Sequence, residues 1–442
     1  MPFRRSPDVF GACPCHIRRS RAEFTVAHNR KVRLEGCPKG QCNEIDFTGN
    51  DREDAMSRGL RIVVTGLIAQ YPLGGVTWDY VQYVLGLARM GHDVYYFEDT
   101  GQWPYNPIEG GVAKGCDFNV QYLSRVMSHI GLGGKWAYRF PWHSEWFGLS
   151  TEERRAVISS ADLLINVSGT LAEPEKYRDV RCMVYIDSDP VFTQIKISRG
   201  QGDFRRMVDT HDAHFSFGEG LPADALHTGH HWRATRQPIV LSEWRTAEPR
   251  RDVFTTVMNW TSYKPVVYEG KTYGQKDVEF MRFIGLPQRV TPAVLEIAVN
   301  TGKTRRTPRD LLAHKGWQVV NPDEVCPDME SYRRYIETSF AEWSVAKNAY
   351  VVGKSGWFSC RSACYLAAGK PVVVQDTGFS SILPVGRGIL PFTTLDEAAD
   401  AINEVCGNYD THSLAARVVA EDFFDSHKVL GRLLDEAFTA AH

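Results

Sequence analysis

Short apolar blocks, many of them β-branched, alternate along this chain with segments whose apolar residues recur at helical spacing. That alternation predicts an α/β fold with buried parallel strands. In the first half it predicts strands at Ile62–Thr65, Asp93–Glu98, Asp162–Val167, Met183–Ile186 and Ala213–Phe217, with a helix over Trp78–Met90. In the second half it predicts strands at Val253–Met258, Leu295–Val299, Trp317–Val320, Ala349–Val352 and Pro371–Val374. Helices are expected over Lys276–Ile284, Leu311–Lys315, Tyr332–Ala341, Cys360–Ala368, Leu395–Val405, His412–Phe424 and Lys428–Ala441. The charged run Arg245–Asp252, with Pro249, reads as a linker. The expected organisation is therefore an amino-terminal Rossmann-like domain over 60–242, a second over 251–406, and closing helices over 410–442. Residues 1–55 lack sustained periodicity and read as a disordered extension, or as an overextended start upstream of Met56.

The stretch Glu342–Phe392 is the richest. A strand at Ala349–Val352 would feed the turn Gly353-Lys354-Ser355-Gly356. A helix from Cys360 would stop at Gly369, with Pro371 beyond it, and a second strand would open into Asp376-Thr377-Gly378. Loops that follow parallel strands emerge at the carboxyl edge of the sheet, where open α/β folds bind ligands. The first βα segment, Gly66–Thr77, carries Gly74 and Gly75, which would let backbone approach a ligand.

Composition narrows the classes. A net charge of −2 in 442 residues argues against a nucleic-acid partner. No apolar run nears the roughly 18 residues that span a bilayer, and the basic amino terminus has no apolar core of a secretory signal. Cys116, Cys182, Cys326, Cys360, Cys364 and Cys406 sit in or near core-like segments, which suits a reducing cytoplasm. Cys13, Cys15, His16, Cys37 and Cys42 invite a zinc reading, but their spacing is not that of common structural sites.

Several residues are candidates for chemistry. Asp187 and Asp189 follow a buried strand, where one is a candidate general base, the alternative being that they shape a turn before Pro190; Asp187 is the preferred base. Lys264, Lys271 and Lys276 are candidates to hold an anion or to be solvated surface charges. Lys276 is best placed, at a helix start. His211, His214, His227, His230 and His231 are bunched without metal-ligand spacing, and one of them is a candidate proton acceptor at the cleft. Glu98 or Asp99 at a strand end would suit a ribose. Tyr71, Trp78, Trp103, Tyr105, Trp136, Trp142 and Trp146 would either pack or line an acceptor cleft.

Two successive halves, each opening with a strand and a glycine loop, resemble the GT-B architecture of nucleotide-sugar glycosyltransferases. The residues that carry the resemblance are SGWFSCRSACYLAAGKPVVVQDTGFSSILPVGRGI and GLIAQYPLGGVTWDYVQYVLGLARMGHDVYYFED. The resemblance implies two Rossmann-like domains facing a cleft, with carboxyl-terminal helices crossing back to the first. It places Ser355, Gly356 and Ser359 at the donor diphosphate, Asp376, Thr377 and Gly378 at the sugar, and Gly74 and Gly75 near donor and acceptor. Arg361, in the first turn of its helix, would add a bidentate contact to the diphosphate or else face solvent. The loop lacks both the E-x7-E of many retaining members and the His-Cys-Gly of plant-type inverting ones, which leaves the stereochemistry open. The implied activity is metal-independent transfer of a sugar from a nucleotide sugar to an unknown acceptor, with no further cofactor. A nucleotide-sugar epimerase or a non-catalytic binder of the same fold are the alternatives.

Overall fold

A computed structural model of the chain describes residues 59–222, 225–301 and 306–440. The zinc reading of Cys13 to Cys42 lies outside these residues, as does the extension over 1–55. Two sheets organise the rest. The first holds β1 (Arg61–Thr65), β2 (Asp93–Glu98), β3 (Trp136–Phe140), β4 (Glu145–Gly148), β5 (Leu163–Val167), β6 (Met183–Asp187), β7 (Ala213–Ser216) and β8 (Trp232–Ala234). Its order is β8-β7-β6-β5-β1-β2-β3-β4, parallel except for the antiparallel β3–β4 pair. The second sheet holds β9 (Val253–Met258), β10 (Val294–Val299), β11 (Gln318–Val320), β12 (Ala341–Ser344), β13 (Val372–Gln375) and β14 (Ile389–Phe392). Its order is β11-β10-β9-β12-β13-β14, parallel throughout. Each sheet thus reverses its winding beside its first strand, between β1 and β5 and between β9 and β12. Crevices open at such points in doubly wound folds.

The helices that matter for the site are α1 (Gly74–Arg89), α2 (Lys276–Arg282), α3 (Met329–Thr338), α4 (Asn348–Val352), α5 (Cys360–Ala367), α6 (Tyr409–Phe423) and α7 (Ser426–Ala440). α1 is buried on nearly every side, because it packs on β2 and against both α3 and α7. The closing helices therefore return to the first sheet, as the Cys182 thiol to Ala437 carbonyl contact and the bridge between Ile239 and Asp425 also show. One core cluster runs from Val64 and Val84 through Leu366 to Leu430, joining the two halves, and each fully buried Leu or Val contributes roughly 1.5–3 kcal/mol.

One expected element is wrong in kind. Ala349–Val352 is not a strand but lies within the short helix α4, with Ala349 and Tyr350 inward and Val352 exposed. Four apolar residues in a row do not distinguish a strand from a helical turn. The strand is β12, one step earlier, whose central Glu342 breaks the apolar pattern while being fully buried. The loop after β12 consequently begins at Val345 and includes α4. β3, β4, β8 and β14 lie outside the expected strands, and α1 starts at Gly74 rather than Trp78.

Candidate active site

The carboxyl ends of β9 and β12 bring three cations to the second sheet's point of reversal. Arg361 reaches back from the first turn of α5. Its Nε bonds Glu342 Oε1 at 2.6 Å and its Nη1 donates to the Val257 carbonyl, also at 2.6 Å. Burial opposes its charge, but the adjacent Glu342 carboxylate outweighs that and raises the guanidinium pKa. Lys276 opens α2, half-buried, and has no ion-pair or hydrogen-bond partner among the described residues. Its pKa lies well below the ordinary lysine value, first because of burial and then because Arg361 and Lys347 stand nearby. Lys347 precedes α4 and bonds Asp189 Oδ1 at 2.7 Å.

Arg361 also lines a small cavity of about 10 Å³, together with Ser344, Trp357, Ser359, Gln375 and Thr377. Ser359 is the N-cap of α5 yet makes no side-chain capping bond, so the first N–H groups of that helix keep their capacity for an anion. The Trp357 indole N–H is buried without an acceptor. Donors dominate this corner.

The other expected residues are distributed as follows. Ser355 is fully buried and Gly356 sits beneath a loop of the first half, where the Gly220 N–H donates to the Ser355 carbonyl at 2.8 Å. Gly356 has φ +72°, and a Cβ there would lie 2.3 Å from the Gly220 nitrogen. Thr377 borders the small cavity and donates its hydroxyl to the Trp357 carbonyl at 2.6 Å. Asp376 spends its carboxylate on the loop itself, accepting from the Gly378 N–H at 2.9 Å and the Ser380 hydroxyl at 2.6 Å. Lys264 and Lys271 are exposed and away from these contacts. Gly74 and Gly75 form the first turn of α1 and pack on Asp328 and Tyr332 of the second half.

The two aspartates part company. Asp187 is buried and accepts from Gln194 Nε2 and Ser216 Oγ, both at 2.8 Å, and from the Asp189 N–H at 3.0 Å; burial raises its pKa. It holds the turn after β6. Asp189 crosses to the second half, where Lys347 and the hydroxyls of Tyr263 and Tyr350 donate to it. Glu98 and Asp99 are engaged in the same structural way. Glu98 accepts the Ala69 and Gln70 N–H groups, while Asp99 pairs with Arg139 and the Tyr177 hydroxyl. His211 and His214 are buried, which pushes their pKa values down to about 3 and about 4, and their ring contacts are with Tyr185, Trp232 and His230. His227 and His231 are exposed. Among the described residues no group of His, Cys, Asp and Glu could hold a metal ion. Of the aromatics, Trp78 and Trp136 are core, whereas Trp103 and Trp142 are exposed and touch each other.

Asp79, which no motif in the sequence marks, also belongs to this corner. It lies on α1, half-buried, against Cys360 and Arg361 of the second half, and burial pushes its pKa up to about 7 against the pull of Arg361. Because the folded value is raised, the stability tied to this group is complete below the ordinary carboxylate pKa and is lost as pH rises towards about 7. Asp79→Asn should therefore melt like wild type at pH 4 and above it at pH 8. Equal melting temperatures at both would refute the account.

No protein-family model matches the chain, and no curated protein matches it in sequence. Solved structures do. An α-glucosyltransferase in complex with UDP and a 13-mer DNA containing a central A:G mismatch superposes with a TM-score of 0.52 at 13% identity, over 86% of this chain and 100% of that one. Anabaena HepE in complex with UDP-glucose gives 0.53 at 11% identity, again over 86% and 100%. No helix is long and apolar enough to cross a membrane among the described residues. Two Rossmann-like sheets with paired points of reversal, and closing helices that return to the first, give this chain the GT-B fold of nucleotide-sugar glycosyltransferases.

Proposed function

We propose that the protein transfers a sugar from a nucleoside-diphosphate sugar to an acceptor hydroxyl in the cleft between the two sheets. The observation that carries the reading is Lys276, a shielded lysine without a counter-ion, placed beside Arg361 and the uncapped start of α5. A cation left unpaired in such a place is destabilising unless an anion completes it. A diphosphate brings about two negative charges and suits this set of donors. The leaving diphosphate would be stabilised by Arg361, Lys276 and the first N–H groups of α5, with Ser359 and Thr377 along the path of the sugar. These charges take the part that a divalent ion plays elsewhere, so the proposal includes neither metal nor further cofactor. Asp79, rather than Asp187, is assigned as the acceptor of the hydroxyl proton, since its pKa near 7 suits that task. A balanced net charge favours a neutral or small acceptor over nucleic acid.

The test is calorimetric titration with UDP-, GDP- and dTDP-sugars. A bound anion favours the charged form of Lys276, whose pKa burial holds low in the free protein, so any proton exchanged at this lysine on association should be taken up, and affinity should weaken as pH rises. Heats measured in buffers of different ionisation enthalpy reveal that uptake. Lys276→Met should weaken binding at least about tenfold, the loss of one charged contact. No binding of any of these donors by wild type would overturn the reading. Turnover of the sugar without any acceptor would favour epimerisation instead.

A further inference from the structure

The cation that donor binding has not yet used is Lys347. Its ammonium is enclosed by the rings of Phe192, Tyr263 and Tyr350, with the nitrogen 5.5, 5.0 and 5.3 Å from their centroids. Within that cage it bonds Asp189 at 2.7 Å and the Tyr263 hydroxyl at 3.1 Å. Phe192 and Asp189 belong to the first half, and Lys347, Tyr263 and Tyr350 to the second. The pair is therefore a latch across the cleft. The same lysine is tied to the anion corner through the backbone. The Asn348 and Ala349 N–H groups donate to the Gln275 and Gly274 carbonyls at 3.4 and 3.2 Å, and the Gly274 N–H donates to Asn348 Oδ1 at 2.9 Å. Lys347, just before α4, and Lys276, the first residue of α2, thus stand at two helix starts joined by these bonds, and Lys276 feels the charge of Lys347.

The first-half side of the latch is also under backbone strain. Val191, two residues beyond Asp189, has φ +72°, a conformation that β-branched side chains rarely adopt. It is wedged against Gly353, where an added Cβ would lie 2.7 Å from a Val191 methyl. Strain of this kind persists only while its surroundings hold it, here the Gln194 Oε1 that accepts from the Val191 N–H at 2.6 Å and the packing on Gly353.

From this arrangement we infer that Lys347 is a third ligand for the donor's diphosphate, held in reserve by Asp189, and that a nucleoside diphosphate enters by taking this lysine from the first half. The inference rests on the donor-site reading above and adds its regulation. A diphosphate seated on Lys276 and Arg361 carries more negative charge than one carboxylate and competes for the same ammonium. Donor binding and loosening of the latch are then reciprocal. Asp189 acts as a competitor built into the fold.

The experiment is titration of UDP, with GDP and dTDP alongside, into wild type, Asp189→Asn, Lys347→Met and the double variant. Asn keeps an oxygen for the two tyrosine hydroxyls and removes only the charge that holds Lys347. Asp189→Asn should tighten nucleotide binding about five- to tenfold, a coupling of ordinary size. Lys347→Met should weaken it, and the double variant should lose the gain. Tyr263→Phe, which removes the hydroxyl oxygen that accepts from the Lys347 ammonium without altering charge, should shift affinity in the same direction as Asp189→Asn but less, and serves if that variant does not fold. Nucleotide binding by wild type that Asp189→Asn leaves equal or weaker overturns the latch while leaving the donor site standing. A gain that survives in the double variant overturns it too, because Lys347 would then not be the ligand released. Binding by none of the four proteins overturns both readings.

Discussion

Replacing Arg361 by Ala is expected to destabilise the protein by about 3–5 kcal/mol, the penalty for stranding a buried charge. The reason is Glu342. Its side chain is 0% exposed, its Oε1 accepts from Arg361, and its Oε2 has no partner. Removing the guanidinium leaves a carboxylate in the middle of β12 with no compensation, and takes the donor from the Val257 carbonyl at the end of β9. Both strands flank the point of reversal, so the damage falls on the frame of the site. The variant should also fail to bind nucleotide, which alone would not separate a binding role from collapse of the site. Combining Arg361→Met with Glu342→Gln makes that separation. Neutralising both members of a buried pair is often close to neutral for stability. The double variant should therefore regain much of the urea-denaturation free energy while nucleotide affinity stays lost. If Arg361→Ala unfolds at the same urea concentration as wild type, the pair is not a structural anchor.

That pair also marks the limit of what was legible in the sequence. Strands made of β-branched runs, such as Ile62-Val63-Val64 and Val372-Val373-Val374, announce themselves, and both sheets were expected from them. β12 did not, because Ala-Glu-Trp-Ser carries a charge whose partner lies nineteen residues on and is visible only in space. The apolar run after it has the composition of a strand, although its burial is one-sided and helical. β3, Trp-Ala-Tyr-Arg-Phe, was missed because Arg139 interrupts the apolar run, and it too is paired with an acid elsewhere, Asp99. At the site, Lys276 could be placed because a helix start was readable. Asp79 could not, though a signal existed: it is the one acid in a helix whose neighbours Trp78 and Tyr80 are both core. Asp187 and Asp189 look alike in sequence, and only the tertiary partners assign one to a turn and the other to the opposite half.

Gly74 and Gly75 give the second large effect, and the two should differ sharply. A Cβ on Gly74 would stand 2.2 Å from the Asp328 carbonyl oxygen and 2.6 Å from the Tyr332 Cβ. Neither atom can swing aside, since one is backbone and the other sits at the root of a fully packed ring. Asp328 itself caps α3 through the Ser331 N–H at 2.8 Å, and Trp78 Nε1 donates to the Met329 carbonyl at 2.8 Å, so this end of α3 is fixed to α1 from several sides. Gly74→Val must push the two helices apart and should cost about 3 kcal/mol or more, the upper range for overpacking. A Cβ on Gly75 meets only the edge of the Tyr332 ring, at 3.1 Å, which yields by a few tenths of an ångström. Gly75→Ala gains up to about 1 kcal/mol of helix propensity against that contact, so its net effect should be within about 1 kcal/mol of zero. Urea denaturation of the two variants decides the matter. Equal losses would mean that the pair is not set by contact with α3. The expected contrast gives Gly74 a role in holding the halves of the cleft together, because any side chain there separates the helix that carries Asp79 from the half that carries Arg361 and Lys276.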